Sequence, residues 1–240
     1  MADHPSIVIL TGAGISAESG IATFRGPGGL WEGHRVEDVC TPEALARDPA
    51  LVHRFYDLRR AALQSVAPNA AHKALARLDA EWPGDLLIVT QNVDDLHERA
   101  GSRRVLHMHG ELLKARCLSC GAVHRWEGDL SVDTRCPDCK GGGAMRPDVV
   151  WFGEIPRYMS GIAGAIASAD LFVSIGTSGS VYPAAGLVLE ARALGVPCVE
   201  LNLEPSENAS AFAESHYGRA AEIVPDWVAR CVAGFAQRTN

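Results

Sequence analysis

The sequence predicts an α/β fold: a doubly wound parallel sheet with a small zinc-bearing and helical part inserted into it. Three observations carry that prediction. Short apolar runs of strand length, Ile7–Leu10, Leu86–Val89, Leu171–Ile175 and Pro197–Leu201, each end in polar or glycine residues. These runs alternate with segments of helical period, the pattern of βαβ units. Two Cys-x-x-Cys pairs, fifteen residues apart, interrupt the alternation.

The totals narrow the function classes. A chain of 240 residues, 47% hydrophobic and 21% charged, can bury a full core. Its net charge of −7 disfavours a nucleic-acid groove and suits basic peptides. No run approaches the ~18 uninterrupted apolar residues of a membrane helix. Met1–Pro5 carries neither a basic segment nor an apolar export core. A cytoplasmic monomer is the expectation. Seven cysteines are an odd number, and in a reducing compartment the paired ones point to metal rather than disulfides. Cys40, Cys198 and Cys231 are left over, and lone cysteines are usually core residues.

Taken in order, Ile7–Leu10 is a buried strand, and Gly12-Ala13-Gly14-Ile15-Ser16 is a sharp turn into a helix reaching Ile21. The Gly-x-Gly-x-x-Ala pattern ends at Ala17, and unpaired amides with the helix dipole would favour a dinucleotide or phosphate. Phe24-Arg25-Gly26-Pro27-Gly28-Gly29-Leu30-Trp31 forbids regular structure and reads as a flap or a connecting loop. Thr41-Pro42-Glu43 opens a helix with Thr41 as cap. Asp48-Pro49 opens another to about Val66, and Pro68–His72 a third that ends before Pro83. Asp85–Thr90 is a strand leading to Gln91-Asn92-Val93-Asp94. Val105–His109 is a short strand, and Val149–Phe152 is apolar. Leu171–Ile175 leads to Gly176-Thr177-Ser178-Gly179, Tyr182–Leu194 is helical, and Pro197–Leu201 leads to Asn202. Glu222–Val224 reads as a last strand before a helix over Asp226–Gln237. Ligands of such sheets sit beyond the carboxyl ends of strands, where these polar residues collect.

Cys117, Cys120, Cys136 and Cys139 make two knuckles that close a tetrahedral thiolate shell suited to zinc. With four sulfur ligands and no position for water, the ion is structural. The ribbon it holds has too few apolar residues to fold alone. The expected division is a sheet domain over 1–31, 84–112 and 146–240. A helical module over 32–83 and the ribbon over 113–145 form the smaller part.

In this order, Gly12–Ser16, Gln91–Asp94, His107-Met108-His109-Gly110, the cysteine pairs, Gly176–Ser178 and Leu201-Asn202-Leu203-Glu204 resemble the sirtuins, over about Ile7 to Val224. The resemblance implies a Rossmann-like NAD domain and a small zinc-plus-helical domain, with NAD and acyl-lysine meeting in the cleft. It implies that Gly12, Ala13, Gly14, Ser16, Ala17, Phe24, Arg25 and Trp31 wrap the cofactor. Gln91, Asn92 and Asp94 would surround nicotinamide and its ribose, and Gly176, Thr177, Ser178, Asn202, Leu203, Glu204 and Ala220 would line the adenosine half. A dehydrogenase would want an acid at the end of its second strand. Here Glu37 and Asp38 fall in a loop, which agrees with a non-redox use of NAD.

Spacing does not choose among His97, His107 and His109; the resemblance selects His109, which stands before Gly110. It implies attack of the acyl oxygen on the ribose carbon as nicotinamide leaves, with His109 as base toward a ribose hydroxyl. Asn92 would hold water and ribose, and Asp94 would polarise nicotinamide. The products would be free lysine, nicotinamide and O-acyl-ADP-ribose. Tyr56 and Arg59 share a helix face. By themselves they read as core plus a solvated stripe with Arg54 and Arg60, but Tyr-x-x-Arg here resembles sirtuins that remove negatively charged acyl groups. Cys40 stands where such relatives commonly carry alanine, so succinyl fits more readily than the largest acyl groups. Acylated lysine peptides would add a strand between Val150-Trp151-Phe152-Gly153-Glu154 and Gly179-Ser180-Val181-Tyr182, with Glu154 attracting basic flanks. The rivals are an ADP-ribosyltransferase or NAD glycohydrolase on the same scaffold, and a non-catalytic NAD-sensing adaptor.

Overall fold

The computed structural model describes residues 4–23, 30–31 and 33–236. The chain opens with β1 (Ile7–Thr11) and a 3-10 turn, Ala13–Ser19, followed by a ribbon of β2 (Leu30–Trp31) and β3 (His34–Arg35). Four helices follow: α1 (Val36–Val39), α2 (Pro42–Arg47), α3 (Pro49–Leu63) and α4 (Ala70–Glu81). Then come β4 (Leu86–Thr90), α5 (Leu96–Ala100), β5 (Val105–His107), β6 (Gly110–Cys117), β7 (Val123–Arg125) and β8 (Met145–Val149). The last part runs α6 (Met159–Ala167), β9 (Leu171–Ile175), α7 (Leu187–Ala193), β10 (Cys198–Asn202), β11 (Glu214–Tyr217) and α8 (Ala220–Ala236).

Six parallel strands lie in the order β11-β10-β9-β1-β4-β5. The chain winds outward from β1 through β4 to β5, then returns to the other side of β1 as β9. Helices cover both faces, as expected of a doubly wound sheet. Ile9, Ile88 and Val173 pack on one side with Leu75 and Leu78 of α4 and Val224, Trp227 and Val228 of α8. Val8, Leu10 and Phe172 face Ile162 and Ile166 of α6 and Leu187 and Val188 of α7. Strands buried on both faces explain the continuous apolar runs. Among the described residues no helix is long and apolar enough to cross a membrane.

Several element boundaries differ from the sequence expectation. Glu222–Val224 is helix, not strand: Val224, Trp227 and Val228 are buried at helical spacing, and α8 carries Pro225 inside it. The last strand is β11 instead, a polar edge segment whose composition gives no apolar signal. β8 begins at Met145, because its charged members are buried with partners. Asp148 accepts from Arg116 Nε and Arg157 Nη1, each at 2.8 Å, and Arg146 pairs with Glu154. The segment expected to be helical from Tyr182 starts as a 3-10 turn at Ala184.

The second sheet, β7-β6-β8, spans Gly110 to Val149, so the expected divisions at 112/113 and 145/146 run through it. Its far end carries the cysteines. Cys117 and Cys139 sulfurs are 3.8 Å apart, Cys120 and Cys136 sulfurs 3.7 Å, and all four lie within 4.8 Å of one another. A tetrahedron with Zn–S bonds of about 2.3 Å has edges near 3.8 Å, so the donor set fits a structural zinc. Around it only Ala115, Leu130 and Met145 join the buried cysteines as core. Arg60 of α3 ties this ribbon to the helical module: it is 1% exposed and donates to the carbonyls of Leu112 and Gly128 and to Asp57. The solvated stripe expected of Arg54, Arg59 and Arg60 is therefore corrected, since only Arg54 faces solvent.

With so small a core, the ribbon depends on its metal. Stripping zinc with a chelator is expected to lower the melting temperature by at least about 5 °C, at 2–4 °C per ~1 kcal/mol in a chain of this size. Calorimetry with and without the chelator checks it; an unchanged melting temperature would show that the ribbon stands without zinc.

Candidate active site

The register of β1 decides where the strand ends lie. Thr11 is level with Thr90 on one side and Ile175 on the other. Gly12, Gln91 and Gly176 therefore begin their turns at one height, at the point where the winding reverses. Here the turns pack backbone against backbone. A Cβ on Gly12 would lie 2.7 Å from the Gly176 carbonyl oxygen, and one on Gly14 would lie 2.7 Å from Gly176 Cα. Gly176 itself has φ +63° and meets Ile15 N. The Gly12 and Gly14 amides donate to the carbonyls of Ile175 and Gly176, each at 2.9 Å. The expected row of unpaired amides at a helix start is thus corrected: these two glycines serve turn-to-turn contact, and the turn is 3-10.

A cleft of about 830 Å³ opens above them. Gly12, Ala13, Gly14 and Ser16, then Gln91, Asn92, Asp94 and His109, then Gly176, Thr177, Ser178, Asn202, Leu203 and Glu204 all line it. So do Cys40 and Arg59, the run Val150–Glu154, and Val181 with Tyr182 opposite. Ala17 is exposed within the 3-10 turn and away from the cleft, Ala220 packs on the core at the start of α8, and Gly179 faces a small neighbouring cavity. Phe24 and Arg25 lie outside the described residues, and Trp31 belongs to β2. The volume is within the range of small-molecule sites and its lining is mixed in the way such sites are. Polar groups from the strand ends follow one another along it.

Under the cleft floor, Ser16 gathers a polar network. Its hydroxyl donates to Asp94 Oδ2 at 3.1 Å and accepts from Asn92 Nδ2 at 3.1 Å. His72 Nε2 stands 3.4 Å from the same hydroxyl. Burial pushes the Asp94 carboxyl up, against the Leu96 amide and Ser16 hydroxyl that favour its charge. Asn69 caps α4, accepting from the amides of Ala71 and His72, and donates to the Ile15 carbonyl at 2.7 Å. This cap fixes His72 against the glycine turn. The sequence reading missed His72.

Hydrogen bonding separates the three histidines that spacing could not. His97 is fully buried, holds Thr11 Oγ1 at 3.1 Å, and is kept neutral by burial and then by His72. His72 is depressed by burial to about 4. His107 has both ring nitrogens facing acceptors: Nδ1 the Asn92 carbonyl at 3.0 Å, Nε2 Glu98 at 2.8 Å. Burial opposes its charge, yet Glu98 raises it above the ordinary value. His109 differs. Its Nδ1 faces only the Gln91 carbonyl, at 3.1 Å, so Nδ1 carries the proton and Nε2 keeps a lone pair at the cleft. Burial depresses its pKa below 6.5 while the Gln91 carbonyl opposes.

On the other wall, Arg59 lines the cleft with Ala62, Leu63 and Val66. These positions are i, i+3, i+4 and i+7, so the helical period itself held the signal for this wall. Glu154 is not available as a free attraction for basic flanks. Its carboxylate takes Arg146 at 2.7 and 3.0 Å and the Trp151 amide at 2.7 Å.

A profile of the Sir2 family matches residues 12–183. The chain is similar to an NAD-dependent protein deacylase of Yersinia pestis, 60% identical over 226 residues, covering 93% of this chain and 81% of the relative. A deacylase of Caulobacter vibrioides is 56% identical over 230 residues, with 95% and 97% covered. Among solved structures, a Sir2 homologue in complex with NAD is 39% identical with a TM-score of 0.87, covering 97% of this chain and 91% of that one. A Sir2 structure with a p53 peptide and NAD+ is 29% identical with a TM-score of 0.80, covering 98% and 95%. From the strand-end cleft to the four-cysteine ribbon, the chain belongs to the Sir2 family.

Proposed function

We propose that this chain is an NAD-dependent protein deacylase that removes acetyl and succinyl groups from lysine side chains. One observation carries the reading: a single histidine of the site, His109, keeps an unprotonated ring nitrogen at a cleft built from polar strand ends. NAD supplies a ribose carbon from which nicotinamide leaves and to which an acyl oxygen adds. The protein's own groups do the rest. His109 Nε2 takes the proton of a ribose hydroxyl, and its Nδ1–H on Gln91 holds the ring and steadies the charge it gains. Asn92 positions water and ribose, and Asp94 polarises the nicotinamide end; Ser16 fixes both. No serine or cysteine nucleophile is needed.

Arg59 supplies the acyl preference. A guanidinium grips a carboxylate through two parallel hydrogen bonds, and Tyr56 beside it adds a hydroxyl. The Arg59 guanidinium carbon lies 5.9 Å from the Tyr56 ring centroid and 5.6 Å from that of Phe55. Acylated lysines of protein substrates lie between Val150–Glu154 and Val181-Tyr182, held through the backbone.

His109→Ala is expected to end turnover while leaving NAD affinity nearly unchanged, as read by nicotinamide release and calorimetric titration; an active variant would refute the assignment. A base must be unprotonated, and the His109 pKa lies below 6.5. The acid limb of kcat/KM, which reports the free enzyme, should therefore have its midpoint below pH 6.5, and a midpoint above it would point to another group. Arg59→Met should lower kcat/KM for a succinyl peptide about 10- to 150-fold relative to the acetyl peptide, the range of a charged hydrogen bond worth ~1.5–3 kcal/mol. Equal losses on both would make Arg59 structural.

A further inference from the structure

Tyr56 does not reach the cleft as a free donor. It is fully buried behind Cys40, Arg59 and Trp151, which line the cleft. Its oxygen accepts from Trp151 Nε1 at 2.9 Å, and its one proton goes to Cys40 Sγ at 3.3 Å. The indole is fixed in turn. Arg146 stacks 3.4 Å over the indole ring centroid and is gripped by both oxygens of Glu154. Cys40 is fixed as well, its carbonyl accepting from the Phe152 amide at 3.1 Å.

We infer that Cys40 and Trp151 determine acyl specificity by holding the Tyr56 proton in reserve, to be claimed by the carboxylate of an acidic acyl group seated on Arg59. The inference rests on the succinyl reading given above. Thiol sulfur is a weak acceptor, whereas a carboxylate oxygen is a strong, charge-assisted one. Turning the hydroxyl about its C–O bond, with the ring in place, exchanges the first for the second. Trp151 stays on the oxygen throughout and polarises the O–H toward donation. An acetyl group has no carboxylate and leaves the Tyr56–Cys40 bond intact. The device therefore acts on the ratio between substrates.

The sign of two substitutions separates this from simple fit. Serine and alanine are both smaller than cysteine, so a purely steric wall predicts that both raise the succinyl-to-acetyl ratio of kcat/KM. If the proton is held in reserve, Cys40→Ser, with a stronger oxygen acceptor, lowers the ratio, and Cys40→Ala, with none, raises it. Each shift should be about 2- to 12-fold, the span of one neutral hydrogen bond. The two variants are assayed with acetyl- and succinyl-lysine forms of one peptide and NAD. A lowered ratio for Cys40→Ser with a raised one for Cys40→Ala supports the inference; any other pair of outcomes overturns it. Should Cys40→Ser not fold, Cys40→Ala is repeated in a Tyr56→Phe background: loss of its rise in the ratio supports the inference, and a rise that persists overturns it. Arg59→Met in the same series keeps the underlying reading separate. If that variant leaves the ratio unchanged, the succinyl reading itself fails; if it lowers the ratio while the Cys40 variants do not diverge, only this inference fails.

Discussion

The site depends on one constraint, the register of β1 between its two parallel neighbours. Thr11 level with Thr90 and Ile175 brings three chain reversals to one height. Only glycine at positions 12, 14 and 176 lets the first and third of these touch through their backbones. A slip of one residue would turn every side chain of the strand to the other face. It would also separate Gly12 from Gly176 and lift Ser16 off Asn92 and Asp94. The sheet is thus less a platform under the cleft than the ruler that spaces its walls.

Burial then sorts the titratable groups by the partners each can reach. Four histidines lie within or beside the floor, and the same desolvation acts on all of them. His72 lies between the Asn69 amide oxygen and the Ser16 hydroxyl and His97 meets the Thr11 hydroxyl, and both remain neutral supports. His107 meets a carbonyl and a carboxylate, and the carboxylate favours its charged form against burial. His109 meets a single carbonyl, which fixes its tautomer and leaves one nitrogen for chemistry. The division of labour follows from acceptor count rather than from depth. His107 ends β5 and His109 sits in the turn after it, where the sequence expected one strand, and their roles part because Glu98 of α5 reaches only the first.

The helical module meets the metal ribbon through α3, whose three arginines meet three environments. Arg54 is solvated, Arg59 lines the cleft, and Arg60 is buried with Asp57, where it holds the ribbon's Leu112 and Gly128 carbonyls. Asp57 is shared, since it also accepts the Leu130 amide at 3.0 Å. Metal binding at one end of the ribbon is therefore mechanically continuous with the wall that carries Arg59. A buried arginine tolerates this position because each of its bonds ends on a carbonyl or a carboxylate.

Sequence alone determined what depends on local pattern. The apolar strands, the cap at Thr41, the helix starts at Asp48-Pro49 and Pro68–His72, the knuckle spacing and the order of the strand-end motifs are short-range signals, and the fold follows from them. The Tyr56–Arg59 spacing placed both residues on one helix face by the same logic. Tertiary structure decided what depends on partners far along the chain. β8 and Arg60 broke the expectation that charge lies outside: Asp148 meets Arg116 of β6 and Arg157 beyond β8, and Arg60 adds to its neighbour Asp57 the distant carbonyls of Leu112 and Gly128. α8 absorbed Glu222–Val224 because burial against α4 outweighed the warning of Pro225. The partners that set the three histidines apart, and the direction of the Tyr56 proton toward Cys40, were invisible in the sequence for one reason. A hydrogen bond is specified by both ends, and a linear pattern shows only one.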